Sequence, residues 1–362
     1  MRIFGAPRQY IQGPGVLSGL GAIAERCRAQ PLLILDQDIA ALLAPALAGA
    51  FAAPPPAIHF GGQITGAAIE RLTAEARALL DTESYARLLV YGIGGGKALD
   101  AAKGVALRIG ADFVAVPTVA SNDSPTGRAV AIYDDAYKLA RVDLLPANPE
   151  AVVVDTALIV QAPARFLRGG IGDAIAKKFE AERSHADGAL NFFGTAPLLS
   201  ALALADACYT TLRRHGAGGM RAAAAHEVTP DFEATVEAAL LMSGIAWESG
   251  GTSLSHAVVR GLARTPGAQA SLHGEHVAYG LLVQLAIEQR SDAFILDLMG
   301  FYREIGQACT LAGLGIADAG KATLAQIAQW THEGPKGSNA IVSATPDEVI
   351  AALQRVEALA AA

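Results

Sequence analysis

The 362-residue chain is short of charge. Only 17% of its residues are Asp, Glu, Lys or Arg, whereas 52% are hydrophobic. Soluble proteins average about 25% charged residues. The hydrophobic fraction excludes a disordered chain, and the length suits two domains or one large one. No signal peptide is expected, because Met1-Arg2-Ile3-Phe4-Gly5-Ala6-Pro7 runs into no apolar core segment. The formal net charge is −7, and no basic cluster is long enough to hold nucleic acid. Cys27, Cys208 and Cys309 are odd in number and far apart. They suit reduced thiols in a reducing compartment, not a disulfide frame or a cysteine-type zinc site. A cytoplasmic location is the default expectation.

One stretch tests the membrane question. From Ile39 to Ile69 there is no Asp, Glu, Lys or Arg, enough on length alone to span a bilayer. The run is rich in Ala, however, and it carries Pro45, Gly49, the Pro54–Pro55–Pro56 triplet, His59, Gly61, Gly62 and Gln63. Prolines break helices and Ala contributes little transfer energy, so no membrane association is expected. The run reads as a helix, a proline-rich turn and a short strand over Ala57–Phe60.

The first part of the chain alternates apolar strand-like runs with helical stretches. Leu32–Leu35 ends at Asp36, Leu88–Tyr91 enters a glycine cluster, Phe113–Val116 ends at Pro117-Thr118, and Ala151–Val154 ends at Asp155. Unbroken apolar strands separated by helices predict a parallel sheet covered on both faces, with ligands at the carboxyl ends of its strands. After Pro163 the chain turns to long Ala/Leu-rich segments: Ile171–His185, Ala196–Arg214, Pro230–Trp247, Ser253–Ala263, Glu275–Gln289, Phe294–Ala312, Lys321–Trp330 and Pro346–Ala361. An α/β domain over 1–162 and an all-α domain over 163–362 are expected.

Gly92-Ile93-Gly94-Gly95-Gly96-Lys97 sits between a strand and a helical run. Glycines there let backbone N–H groups approach a phosphate at a helix N-terminus. A P-loop needs Gly at 91 and Ser or Thr at 98, where Tyr91 and Ala98 stand; the dinucleotide fingerprint needs Gly at 97, where Lys97 stands. The choice between a tight turn and an anion site falls to the anion site. Asp36, ending a strand, is placed either to accept from a ribose, favouring NAD over NADP, or to cap a helix. Asp173, His256 and His273 offer two imidazoles and a carboxylate, the donor set of a three-ligand catalytic zinc site, although no two lie within one helical turn. His276, three residues after His273, reads as a solvated histidine or a fourth ligand. No Gly-x-Ser-x-Gly or cysteine motif supports a nucleophile.

Several segments together carry a family resemblance. They are Pro7–Gly13, Gly94-Gly95-Gly96-Lys97-x-x-Asp100-x-x-Lys103, Pro117–Thr126, Asn148-Pro149 with Val154-Asp155-Thr156, Gly170–Ala174, Glu248-Ser249-Gly250-Gly251 and His273-Gly274-Glu275. In this order and spacing they resemble the glycerol dehydrogenase branch of the iron-containing (group III) alcohol dehydrogenases. The resemblance implies the dehydroquinate synthase-like fold, a Rossmann-like NAD domain followed by an all-helical domain, with the active site in the cleft between them. It implies Asp173, His256 and His273 as metal ligands and Asp123 as the residue holding a substrate hydroxyl. Cofactor contacts would come from Asp36, Gly94, Gly95, Gly96, Lys97, Thr118, Ser121, Tyr133 and the backbones of Gly127 and Ala129. It further implies a homo-oligomer, from dimer to octamer.

Iron members carry a His four residues after the Asp ligand, where Lys177 stands here; zinc is therefore expected over Fe2+ or another divalent metal. The implied activity is NAD-dependent oxidation of a small polyol or secondary alcohol such as glycerol to its hydroxyketone, and the reverse reduction. The substrate segments depart from the pattern at Arg128, Val259-Arg260 and His276. An alternative is therefore a relative acting on another diol, a hydroxyketone or a 2-hydroxy acid, with Arg128 or Arg260 pairing a carboxylate unless both face solvent. A lyase of the dehydroquinate synthase kind is disfavoured, since the cleft segments offer only Arg128, Lys177, Lys178 and Arg260 for a phosphorylated substrate.

Overall fold

The computed structural model describes residues 1–80, 86–134, 139–334 and 342–362. Among these residues eight strands are present: β1 (Tyr10–Gly13), β2 (Gln30–Asp36), β3 (Ala57–Phe60), β4 (Leu88–Gly94), β5 (Asp112–Pro117), β6 (Ala129–Tyr133), β7 (Leu139–Leu144) and β8 (Ala151–Asp155). Six form one sheet in the order β1-β8-β5-β4-β2-β3, with every pairing parallel. The unbroken apolar runs lie at its centre, buried on both faces. β1 was not foreseen, because it is an edge strand, half-buried and without an apolar run. The antiparallel pair β6–β7 was missed for a related reason, since β7 carries Arg141 and Asp143 and is largely accessible.

The helices of the first part are α1 (Leu20–Cys27), α2 (Ala40–Ala48), α3 (Gly66–Leu79), α4 (Gly96–Ile109) and α5 (Thr156–Ile159). Ile39–Ile69 thus folds as the sequence predicts into α2, a turn and β3, and it runs on into the start of α3. No helix among the described residues is long and apolar enough to cross a membrane.

Beyond β8 the described chain is helical: α6 (Arg165–Ile175), α7 (Lys177–Ala186), α8 (Leu199–Ala225), α9 (Pro230–Glu237), α10 (Ser243–Gly250), α11 (Leu254–Leu262), α12 (His273–Ile287), α13 (Asp292–Glu304), α14 (Lys321–Thr331) and α15 (Pro346–Ala361). Two expected single helices are divided. Ile171–His185 is interrupted at Ala176, and a π-helical turn over Ala238–Met242 separates α9 from α10. One apolar cluster runs without a break from the sheet face carrying Ile34, Val90 and Val152 into the helices, through Leu167, Ile171, Val277 and Leu281.

Two topological facts place the cleft. β2 leads to its neighbour β3 on one side, whereas β4 leads to β5 on the other, so the connections diverge above adjacent carboxyl ends. Leu35 is paired with Ile93 there, which sets Asp36 beside Gly94. Gly94 has φ +153°, and a Cβ on it would lie 2.7 Å from Asp36 Cβ and from Ala98 Cβ, so no larger residue fits.

The helical part is drawn together by glycines where helices cross. A Cβ on Gly274 would stand 1.8 Å from the carbonyl oxygen of Gly169, which clamps α12 against α6. A Cβ on Gly280 would stand 2.5 Å from Ser255 O, which clamps α12 against α11. These two contacts bring Asp173, His256 and His273 together from three helices. Overpacking such a contact costs about 1–3 kcal/mol. Gly274→Ala should therefore lower stability by at least about 2 kcal/mol in denaturant unfolding, and separate the helices that carry Asp173 and His273.

Candidate active site

Asp173 is buried near the end of α6, His256 lies in the first turn of α11 and His273 is the first residue of α12. One donor atom from each lies within 4.8 Å of the others, the only such triad among the described residues. His256 Nε2 stands 3.5 Å from Asp173 Oδ1. Two bonds of about 2.1 Å meeting at a tetrahedral angle span about 3.4 Å, so this pair fits adjacent zinc ligands. Two imidazoles and one carboxylate with an open side suit a catalytic divalent ion.

The orientation of His256 is set from behind. Its Nδ1 lies 2.8 Å from Glu180 Oε2, while Glu180 Oε1 accepts from the backbone N–H groups of Ser253 (3.0 Å) and His256 (3.2 Å). An ionised carboxylate only accepts, so Nδ1 carries the proton and Nε2 faces the triad. Burial opposes charge on His256, but Glu180 reverses this and pushes its pKa up to about 9 in the metal-free chain. A metal and a proton thus compete for Nε2. Burial alone would raise the Asp173 pKa; Lys177 and the two histidines hold it well below the usual carboxylate range.

Lys177 was expected as a missing ligand and as one of a few basic groups near the cleft; it lies inside the cluster itself. Its fully buried ammonium donates to Asp173 Oδ1 at 2.6 Å, forms an ion pair with Asp123 Oδ2 at 3.1 Å, and stands 3.4 Å from His256 Nε2. Asp123 N–H donates to Asp173 Oδ2 at 3.3 Å, and Ser243 Oγ donates to Asp123 Oδ2 at 3.2 Å. Sequence reasoning missed Glu180 and Ser243. The signal for Glu180 was present: Asp173, Lys177 and Glu180 recur at i, i+4 and i+7, one face of a continuous helix.

The triad opens into a cleft of about 860 Å³ that reaches the carboxyl end of the sheet. Asp36, Gly95, Gly96, Lys97, Thr118 and Ser121 line it, as do Asp123, Gly127, Ala129, Tyr133, His256 and His273. Gly94 lies just beneath, at the end of β4. Gly95 caps α4, so the glycine loop presents a helix N-terminus to the cleft. The loop carrying Asp123 is pinned to α4 by a buried Lys103, which donates to Ser124 O at 2.6 Å and Ala129 O at 3.0 Å. Asp100 accepts from Ser124 Oγ at 2.9 Å and Ala131 N at 3.2 Å.

Three expectations need correction. Arg128 neither pairs a substrate carboxylate nor faces solvent. Its Nε donates to buried Glu248 at 3.0 Å, its Nη2 to Phe192 O at 3.2 Å, and its guanidinium lies 4.0 Å from the Phe193 ring centre. Glu248 also takes the Arg128 N–H and the Asn148 side-chain amide, tying the β6 end of the chain to α10. Arg260 does not face open solvent, since it lines the cleft one turn after His256 and donates to Thr331 O at 3.3 Å. His276 is neither solvated nor part of the triad; it is buried, and its Nε2 has no hydrogen-bond partner. Burial, then the nearby His273, pushes its pKa down to about 4. The three cysteines are buried, and burial raises each thiol pKa.

Comparison with known proteins agrees with this geometry. Residues 7–156 match the family model for iron-containing alcohol dehydrogenase. The chain is 37% identical to a glycerol dehydrogenase of Escherichia coli, covering 97% of this chain and 95% of that protein. It is 35% identical to a glycolaldehyde reductase of Halobacterium salinarum over 90% of this chain and 89% of that one. The crystal structure of a probable glycerol dehydrogenase from Sinorhizobium meliloti superposes with a TM-score of 0.89, at 33% identity and 99% coverage of both chains. The chain belongs to the iron-containing alcohol dehydrogenase family. Within it the chain is a glycerol dehydrogenase-like member, and so an NAD-dependent alcohol dehydrogenase.

Two outcomes follow. Glu180→Gln should loosen metal binding about 10–100-fold in chelator competition, because a neutral amide no longer orients His256. For His276 the sign runs toward acid. Below the ordinary histidine pKa of 6.5 the unfolded chain takes up a proton that the native chain refuses until about pH 4. Stability is therefore lost as pH falls through that window, by about 3 kcal/mol from this residue. His276→Met should flatten the decline in urea unfolding measured between about pH 7 and 4.

Proposed function

We propose that the chain oxidises a small vicinal polyol such as glycerol to its hydroxyketone with NAD, and catalyses the reverse reduction, with zinc held by Asp173, His256 and His273. The observation that carries this reading is the position of Asp123, which faces the cleft while hydrogen-bonded to the metal-binding carboxylate. Asp123 Oδ2 is engaged by Ser243 and Lys177, so a substrate hydroxyl would be taken up at Oδ1. When bound, the divalent ion supplies polarisation of a substrate oxygen, and NAD supplies the hydride acceptor. The protein's part is orientation. The N-terminus of α4 and the glycine loop suit the pyrophosphate, and the Asp36 carboxylate suits a ribose diol and repels a 2′-phosphate. Tyr133, Thr118, Ser121 and the backbones of Gly127 and Ala129 would complete the cofactor contacts. The division into 1–162 and 163–362 then separates a cofactor part from a metal and substrate part. A homo-oligomer and a cytoplasmic location complete the proposal.

Arg260 favours a second reading, a 2-hydroxy acid substrate. It shares the face of α11 with His256, so a carboxylate next to a hydroxyl held near the triad would lie within its reach.

The test is NADH formation by the purified protein against polyols, diols and 2-hydroxy acids, before and after chelation and zinc replacement. Turnover of polyols that chelation abolishes and zinc restores is expected. A preference for hydroxy acids that Arg260→Gln removes selects the second reading. No oxidation of any alcohol refutes both. His256→Ala should lower turnover below detection while keeping the NAD dissociation constant within about threefold, measured by fluorescence titration.

A further inference from the structure

Lys177 does more than fill the position of a lost ligand. Its ammonium lies 2.6 Å from Asp173 Oδ1 and 3.4 Å from His256 Nε2, and those two atoms lie 3.5 Å apart. The same oxygen and nitrogen are donors in the metal triad. The third contact, Asp123 Oδ2 at 3.1 Å, belongs to the residue assigned to the substrate hydroxyl. Lys177 is fully buried, so water screens none of this. Two further carboxylates, Asp123 and Glu180, stand beside the triad's own Asp173, all three with little or no exposure. Without a metal, their repulsion would drive the helices apart unless another cation stood among them.

We propose that Lys177 is an intramolecular competitor of the divalent ion: it holds the metal-free pocket in shape and lowers the affinity of the pocket for the ion, so that the metal exchanges. This rests on the assignment of Asp173, His256 and His273 as the metal pocket. Geometry supports both halves. A cation already bonded to the ligand carboxylate takes the place of the missing metal in the empty state. It then repels the incoming ion at short range across a medium with little water. Lys177 is thus a positioning residue. It reaches the chemistry through Asp173 and Asp123.

The test compares the wild-type chain with Lys177→Gln and Lys177→Met, each stripped with chelator. Zinc affinity is read by competition with a chromogenic chelator, and thermal unfolding is followed with and without zinc. Both neutral variants should bind zinc at least about tenfold more tightly than wild type. Their unfolding midpoints should depend on zinc more strongly than that of wild type. A variant that folds only with zinc supplied is the same result in extreme form. Equal or weaker zinc binding overturns the proposal, as does a variant that stays unfolded with zinc present. His256→Ala separates the two levels of the argument. If wild type and His256→Ala bind zinc alike, the pocket assignment itself fails. If zinc binding depends on His256 but not on Lys177, only the role of Lys177 fails.

Discussion

Buried negative charge governs this molecule. Asp123, Asp173 and Glu180 come from a loop and two successive helices, and each is drawn largely out of water. Carboxylates so placed need cations and donors close by, or the helices that carry them separate. Lys177, His256 and the backbone N–H groups of Ser253, His256 and Asp123 meet that need. The glycine crossings are the steric counterpart. α6, α11 and α12 can share these groups only because no side chain intervenes at Gly169, Gly274 and Gly280. Charge and shape therefore specify the same arrangement.

The two parts of the chain contribute different physics to one cleft. The parallel sheet supplies a fixed row of strand ends, an acidic residue beside a crowded glycine, and a helix N-terminus pointing outward. These are features for a phosphate and a diol. The helices bring two imidazoles and a carboxylate together at the other side of the cleft. The Asp123 loop connects them. Lys103 and Asp100 anchor it to α4 on one side, and Ser243 and Asp173 hold it on the other. The parts share one continuous apolar cluster and the Arg128–Glu248 pair.

What could be read beforehand followed the range over which each signal acts. Central strands announced themselves because burial on both faces needs an unbroken apolar run. β1 and β7 have no such requirement and stayed hidden. Pro346–Ala361 matched to the residue because Thr345 and Glu348 form a capping box around its start. Family motifs pointed to the three donor residues and to the glycine loop, and the structure gathers the donors in one cluster beside a cleft that the loop lines. Arg128 was misjudged because its partner Glu248 lies 120 residues away. Glycine spacing says nothing about which backbone a neighbouring helix presents, so the crossings could not be read. Lys177 was seen as an absence because the comparison was with a histidine. Its spacing from Asp173 and Glu180 held the contrary information.

The buried cysteines bear on how the protein meets metals in general. Zinc is borderline-soft and binds thiolate wherever one is offered. Cys27, Cys208 and Cys309 lie under the surface as thiols that resist ionisation. A divalent ion arriving from solution therefore meets no sulfur that would capture it at a wrong address. Thiol-reactive compounds likewise find no exposed cysteine. The cysteine sulfur stays inside the fold, where Cys27 donates to Glu150 and Cys208 to the carbonyl oxygens of Ala174 and Ala238, and the triad that could hold a metal is built of nitrogen and oxygen donors alone.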